Sequence, residues 1–215
     1  MKAMLEIRGP VTALLDAPLA LAVRGAGPDA ALRWRARVRD DDGRVWRAEA
    51  ARPEQLDGAW AATGGGAVAA LASLRPVALE VRAEAADGHA ATRTLTRVLL
   101  GDGAQRRRWR EPGGLRAALH LPAGTGPAPA VVLPAAATLA AALLASRGVI
   151  ALALEAGDAA TAAQRLAGIA RAAAVTVLDE VPLPPGVPAA GTEPEARAAD
   201  WAALLLRLGA SAAQR

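Results

Sequence analysis

Residues 32–39 read LRWRARVR, an alternation of apolar side chains with arginine that runs without interruption. Successive side chains of a β-strand point to opposite faces, so a period of two predicts a strand with one buried and one solvated face. The acidic turn that follows ends at Gly43, which accepts a positive φ, and residues 45–50 alternate again. The pattern therefore predicts a β-hairpin.

The same alternation recurs through the first part of the chain. It predicts further strands at 19–24, 77–84 and 92–100, whereas the Gly/Ala-rich stretch 63–72 is predicted to be an irregular connection or a short helix. Short strands separated by turns, with no strong helix among them, are typical of a β-sandwich. We therefore expect an immunoglobulin-like β-sandwich over residues 1–103.

Beyond Pro112-Gly113-Gly114 the pattern changes to strands that alternate with helices, which is typical of a parallel sheet. A reduced α/β domain with about four mostly parallel strands is predicted over residues 115–215, after an Arg/Gly-rich linker at 104–114. Its predicted strands are 115–121, 130–133, 149–154 and 175–178, and its predicted helices are 138–147 and 158–172. A capping box at 192–195 then opens an amphipathic closing helix with a stripe of Trp201, Leu204, Leu205 and Leu208.

Composition narrows the chemistry that the chain can perform. It has no Cys, which excludes disulfides, thiolate catalysis and Cys-ligated metals, and its two His residues lie far apart in the sequence, so no metal site and no cofactor are expected. Charges replace the apolar run of a signal peptide near the N-terminus, and the uncharged stretch 129–146 is interrupted by Pro134. We therefore expect a cytoplasmic protein without a membrane span.

The net charge is +4, and arginine is interleaved with acidic residues along most of the chain, which argues against nucleic acid as a partner. One dense cluster remains, and its candidate anion-binding residues are Arg106, Arg107, Arg108 and Arg110. The alternative interpretation of this cluster is a solvated interdomain linker.

Five parts of the chain carry a resemblance to known proteins: DDGRVWR at 41–47, GLRAALHLP at 114–122, PAVVL at 129–133, LLASRGVIALAL at 143–154, and the Pro-rich 182–188 with the helix at 195–208. Together these segments resemble the family of acyl-CoA thioesterases and bile acid-CoA:amino acid N-acyltransferases. The resemblance implies an N-terminal β-sandwich, a C-terminal α/β-hydrolase domain of the dienelactone-hydrolase type, and acyl thioesters as substrates.

Such enzymes use a Ser or Cys nucleophile at a strand-to-helix elbow, a His base and an orienting acid. No Gly-x-Ser-x-Gly or Gly-x-Cys-x-Gly occurs here, and the serines, Ser73, Ser146 and Ser211, are interpreted as structural. Asp179-Glu180 stands where the resemblance implies the catalytic His. The chain passes from strand 149–154 directly to Gly157-Asp158, without the stretch that would carry the nucleophile.

The remaining candidates are weak. Asp158 matches the acidic member of the triad, although a helix cap is a sufficient role for it. His89 and His120 have no evident nucleophile beside them, and the oxyanion loop is reduced to residues 134–137, which removes a large electrostatic contribution to acyl transfer.

Three functions follow as hypotheses. The first is a non-catalytic binding or scaffold protein for an acyl thioester, a partner protein or a second copy of the chain. The second is a thioester hydrolase or acyltransferase in which Asp158, Asp179 or Glu180 activates a water, which requires burial to raise the pKa of the carboxyl group, or in which a partner subunit supplies the missing groups. The third is polyanion binding by the arginine cluster, which should weaken with salt.

Overall fold

The computed structural model describes residues 4–27, 30–169, 171–191 and 193–210. Three sheets dominate it, with few helices. The chain divides into two compact units. The first comprises the residues up to Val98 together with Pro185–Arg197, and the second comprises Leu99–Pro184 and the residues from Ala198 onward.

The first unit contains a six-stranded sheet in the order β2-β8-β7-β4-β5-β6 and a two-stranded ladder of β1 with β3. Its strands are β1 (Glu6–Arg8), β2 (Thr12–Leu14), β3 (Ala22–Arg24), β4 (Leu32–Arg39), β5 (Val45–Ala50), β6 (Ala61–Ala62), β7 (Val77–Ala85) and β8 (Ala90–Val98). A 3-10 helix spans Pro53–Gly58. The predicted β4–β5 hairpin is confirmed.

The alternation along β4 places its apolar side chains in the core. Trp34, Ala36 and Val38 are buried, while the arginines between them are exposed. The arginines Arg33 and Arg35 form ion pairs with Glu49 on β5, and Arg35 also reaches Glu84 on β7, 3.4 Å away. These ion pairs connect β4 to both of its neighbouring strands across the solvated face of the sheet.

The second unit contains a five-stranded mixed sheet in the order β13-β11-β12-β10-β9. Its strands are β9 (Gln105–Arg110), β10 (Arg116–Leu121), β11 (Ala128–Pro134), β12 (Ile150–Ala156) and β13 (Ala172–Val177). A 3-10 helix (Ala135–Ala137) and α1 (Thr138–Ser146) connect β11 to β12, and α2 (Ala159–Ala167) connects β12 to β13. β11 is parallel to both of its neighbours, whereas β10 is antiparallel to both of its neighbours, β12 and β9. The sheet therefore has five strands in place of the predicted four, and it is mixed where a mostly parallel sheet was predicted.

Helices cover both faces of this sheet. Ala162 and Leu166 of α2 belong to a cluster with Ala130, Val132 and Ile150. The alternate side chains of β11 and β12 are equally buried on the opposite face, where the right-handed crossover of a parallel β-α-β unit places α1. All residues of α1 from Ala140 to Ser146 are buried.

Two predictions about domain organisation were wrong. The segment 104–114 is not a linker, because Gln105–Arg110 forms β9 and pairs in register with all of β10. The predicted second domain also loses Pro185–Arg197 to the first unit. The amide of Ala69 donates to the Pro188 carbonyl over 2.8 Å, and Ala190 donates to Ala67 over 2.9 Å. These pairings link residues far apart in sequence, and no local pattern encodes them.

Element boundaries differ from the sequence prediction in several places. The stretch 63–72 is an irregular connection, the first of its two predicted forms, and an isolated bridge joins Val68 to Ala189 there. The helix predicted to reach residue 172 ends at Ala167, and β13 begins at Ala172. The closing helix, α3, spans Pro194–Arg207, and its predicted apolar stripe is buried. The first residue of the predicted capping box, Thr192, lies outside the described residues.

Candidate active site

The carboxyl ends of β11, β12 and β13 lie side by side at one end of the sheet, because these three strands run parallel. The chain leaves β11 toward α1 on one face and leaves β12 toward α2 on the other. Ligands of open α/β sheets bind in the crevice where adjacent strands connect to opposite faces. A cavity of about 300 Å³ lies there.

The lining of this cavity is mostly apolar. The residues are Val132, Leu133, Pro134 and Ala135 after β11, Leu154, Glu155, Ala156, Gly157 and Ala159 around the end of β12, and Val177, Leu178 and Asp179 at the end of β13. Its two carboxylates, on Glu155 and Asp179, are solvent-exposed. Of the described residues that line the cavity, none carries a hydroxyl, a thiol or an imidazole group.

Asp158 lies beside the cavity but caps α2. Its Oδ2 accepts a hydrogen bond from the Thr161 amide over 2.7 Å. The hydrogen bonds from the backbone amide and the side chain of Thr161 outweigh burial and hold the pKa of Asp158 below its ordinary value. The ionised side chain satisfies an amide of the first helical turn, which is the structural role expected from the sequence.

Glu180 does not line the cavity. It contributes instead to an open depression of about 470 Å³, together with Val181, Pro182, Asp200, Ala203, Leu204 and Arg207. The structure thus brings Asp179 to the cavity and leaves Asp158 as a cap and Glu180 outside. The hypothesis of a carboxylate base required a buried carboxyl group, but the side chains of Asp179 and Glu180 are both exposed.

Ser146 is buried at the end of α1 and its hydroxyl is fully engaged. The Oγ donates to the Ala142 carbonyl over 2.9 Å and accepts from the Gly101 amide over 2.7 Å. Ser73 is equally committed, because its Oγ donates to Asp41 Oδ1 over 2.6 Å. Ser211 lies outside the described residues.

His120 is fully buried on β10, and within the described part of the chain neither ring nitrogen has a hydrogen-bond partner. Burial, and secondarily the positive charge of Arg106 opposite it on β9, lower the pKa of His120 to about 4. The ring is therefore neutral at pH 7, and it is not hydrogen-bonded to Ser146. His89 is exposed in the turn between β7 and β8.

The resemblance implies an oxyanion loop at residues 134–137, and the structure has a different arrangement there. β11 ends at Pro134, which has no N–H to donate, and the chain continues directly into the 3-10 helix Ala135–Ala137. This segment lines the cavity with small apolar side chains. The site can hold an apolar group, and no described side chain in its lining offers the hydroxyl or thiol nucleophile of the enzymes that the chain resembles.

Sequence reasoning missed Glu155, Leu154 and Val177 as lining residues. Each lies in the last residues of a strand, and the positions where parallel strands end were the available signal. The arginine cluster was assigned to a linker, but Arg106, Arg107, Arg108 and Arg110 are exposed on β9, at the opposite edge of the sheet from β13.

No protein-family model matches the chain, and no curated protein matches it either. In the described part of the chain, no helix combines the length and apolar character that crossing a bilayer requires. Within that same part, His, Asp and Glu side chains do not gather in groups of three that could hold a metal ion.

Proposed function

We propose that this chain is a non-catalytic binding protein. The lining of the cavity at the carboxyl ends of β11, β12 and β13 carries this proposal, because its described residues offer a mostly apolar pocket without a hydroxyl, a thiol or an imidazole group. The engaged hydroxyl of Ser146 and the buried, neutral ring of His120 support it. A pocket of about 300 Å³ is within the range of small-molecule sites.

More particularly, we propose a degenerate relative of the acyl-CoA thioesterases and bile acid-CoA:amino acid N-acyltransferases. In this proposal the first unit is an immunoglobulin-like β-sandwich, and the second is an α/β-hydrolase-like unit that has lost its nucleophile elbow. The helices on both faces of the mixed sheet and the position of the cavity support the second assignment.

The ligand we propose is the acyl part of a thioester. Val132, Leu154 and Val177 offer apolar surface, whereas Glu155 and Asp179 repel a phosphate placed beside them. The acyl chain would enter the cavity, and the nucleotide phosphates would lie away from these carboxylates.

The test measures binding and turnover on the same protein. Calorimetry with hexanoyl-N-acetylcysteamine, a thioester without phosphates, should give binding, and Ellman's reagent should detect no thiol release above buffer. Ala156→Leu fills the cavity and should weaken binding at least tenfold, whereas Ala160→Leu, exposed on α2 outside the lining, should leave it unchanged. Turnover by wild-type protein, or equal binding by both variants, would overturn the proposal.

The catalytic alternative has one observation in its favour, which is that Asp179 lines the cavity. It predicts hydrolysis through a carboxylate-activated water. If thiol release is detected, its loss in Asp179→Asn, with Glu180→Gln as the matched variant outside the cavity, would establish this function in place of binding alone.

A second copy of the chain is the protein partner we propose. β13 pairs only with β11 among the described strands, carries no charged side chain, and exposes Thr176 and Val177. Edge strands without charges are prone to pair with another strand. Sedimentation analysis should show association that Thr176→Lys abolishes, and a monomer at all concentrations would exclude this partner.

A further inference from the structure

The two Arg-rich strands of the protein differ in how their charge is balanced. On the exposed face of β4, Arg33 and Arg35 are paired with carboxylates on neighbouring strands, and Arg39 donates to the Gly43 carbonyl over 2.9 Å. Among the described arginines of this strand, Arg37 alone has no such partner. On β9, within the described residues, Arg106, Arg108 and Arg110 have no carboxylate within ion-pair distance. The nearest acidic residue in the sequence, Glu111, is engaged with Arg165 at 3.2 Å and with Trp109 Nε1 at 3.1 Å.

These arginines share one face of the sheet. Alternate residues of a strand project to the same side, so Arg106, Arg108 and Arg110 form a row with about 7 Å between successive members. The β9–β10 register places Arg116 directly opposite Arg110, and it therefore projects to the same side. We call these four residues, Arg106, Arg108, Arg110 and Arg116, the arginine row. Like charges at this spacing repel, and a bound anion would relieve that repulsion.

β9 is also an edge of its sheet. Among the described strands it pairs with β10 alone, so alternate backbone N–H and C=O groups along its other side have no strand partner. Such an edge is a template for an additional strand. An extended peptide can use both features at once, because its backbone pairs with the edge and its alternate side chains follow the row. A nucleic acid or an inorganic polyanion can use the charge only.

We propose that β9 is a docking site for an extended acidic peptide segment, which adds to the edge of the sheet as a further strand. Carboxylates at every second position of the segment lie along the arginine row. The site is separate from the cavity at the ends of the parallel strands, and it does not depend on the proposed acyl ligand.

The probe is a fluorescein-labelled peptide of alternating Glu and Thr, which has high β-propensity at the Thr positions. Its anisotropy should rise with added protein, and the affinity should fall at physiological salt. A Glu/Thr peptide that is N-methylated at every residue has the same length and charge but no backbone donors, so it should bind at least tenfold more weakly. A short oligo(dT) strand tests the nucleic-acid occupant.

The matched variants remove equal charge at different places. Arg106→Gln with Arg108→Gln should weaken binding of the Glu/Thr peptide at least tenfold, whereas Arg24→Gln with Arg75→Gln, two exposed arginines of the first unit, should change it less than twofold. Circular dichroism checks the fold of each variant, and the comparison with the N-methylated peptide uses the wild-type protein alone. The proposal is overturned by absence of peptide binding, by equal affinity for the two peptides, by equal loss in both double variants, or by tighter binding of oligo(dT).

Discussion

The backbone amide of Gly101 donates a hydrogen bond to the Oγ of Ser146, 2.7 Å away, and that hydroxyl in turn donates to the carbonyl of Ala142. The serine therefore joins the loop before β9 to the last turn of α1. A hydroxyl that accepts from a fixed amide and donates within its own helix holds a structural position. A nucleophilic serine donates its hydroxyl proton to an imidazole, whereas Ser146 donates it to a backbone carbonyl.

Ser146→Ala should lower the free energy of unfolding by roughly 1–2 kcal/mol, because it removes the buried hydroxyl that accepts from the half-buried amide of Gly101. Urea denaturation followed by tryptophan fluorescence measures this loss. Thr94→Ala, on the exposed face of β8, is the control and should change little. The affinity for the thioester should be the same in both variants, and a selective loss in Ser146→Ala would contradict the structural role.

His120 should make the protein less stable as the pH falls from about 6.5 to about 4. Its pKa in the folded state is lowered to about 4 from an ordinary 6.5, so in this interval the unfolded chain binds a proton that the folded chain does not. The loss across the interval is up to about 3 kcal/mol. Urea denaturation at several pH values measures it.

His120→Leu should remove that pH dependence and leave stability at pH 7 unchanged or raised by about 1 kcal/mol, since a buried ring without a hydrogen-bond partner among the described residues is replaced by an apolar side chain. His89→Leu, exposed in its turn, is the comparison and should keep the pH dependence. If the stability of His120→Leu depended on pH as that of the wild-type protein does, His120 would not be the source of this pH dependence.

Gly186→Ala should destabilise the first unit strongly. Its φ is +79°, and an added Cβ would lie 2.0 Å from the carbonyl oxygen of Leu15, so the backbone itself must move. We expect a loss of roughly 3 kcal/mol or more. Gly191→Ala is the control, because φ is +68° there but no atom lies near the added Cβ. This substitution should lower the free energy of unfolding by only about 1 kcal/mol. Similar unfolding midpoints for the two variants would contradict the packing of residues 185–197 in the first unit.

Asp40→Asn should destabilise the β4–β5 turn by roughly 1–3 kcal/mol at neutral pH. The buried carboxylate accepts from the Trp46 indole over 3.0 Å and from the Arg44 amide over 2.8 Å, and an amide side chain must turn its NH₂ group toward one of these donors. Burial raises the pKa of Asp40, but the hydrogen bonds from Trp46, Arg44 and Ala70 outweigh it and the net shift is downward.

A lowered pKa means that the contribution of Asp40 to stability is complete above about 3.8 and is lost as the pH falls through the folded-state value. This window lies below that of His120, so the two effects separate in a pH series. Asp42→Asn, exposed in the same turn, should keep the loss of stability at low pH that Asp40→Asn removes. The same loss of stability at low pH in both variants would contradict the role of Asp40.

Local pattern predicted the elements that carry strong periodicity. The alternation of 32–39 with its acidic turn gives β4 and β5, and the uncharged run from 138 gives α1. The candidate site was predicted less well, because Asp158 was correctly interpreted as a cap while Glu155 and Val177 were missed. Cavity lining depends on which strand ends meet, and that is set by the strand order β13-β11-β12.

The sequence by itself determined the absence of a Gly-x-Ser-x-Gly or Gly-x-Cys-x-Gly elbow, because residue identity decides which side chains can react. Tertiary structure alone decided that the arginine cluster forms a sheet edge and that residues 185–197 return to the first unit. Both outcomes rest on hydrogen bonds between segments distant in the chain. Backbone amides and carbonyls are the same in every residue except proline, so their choice of partner leaves no mark in local composition.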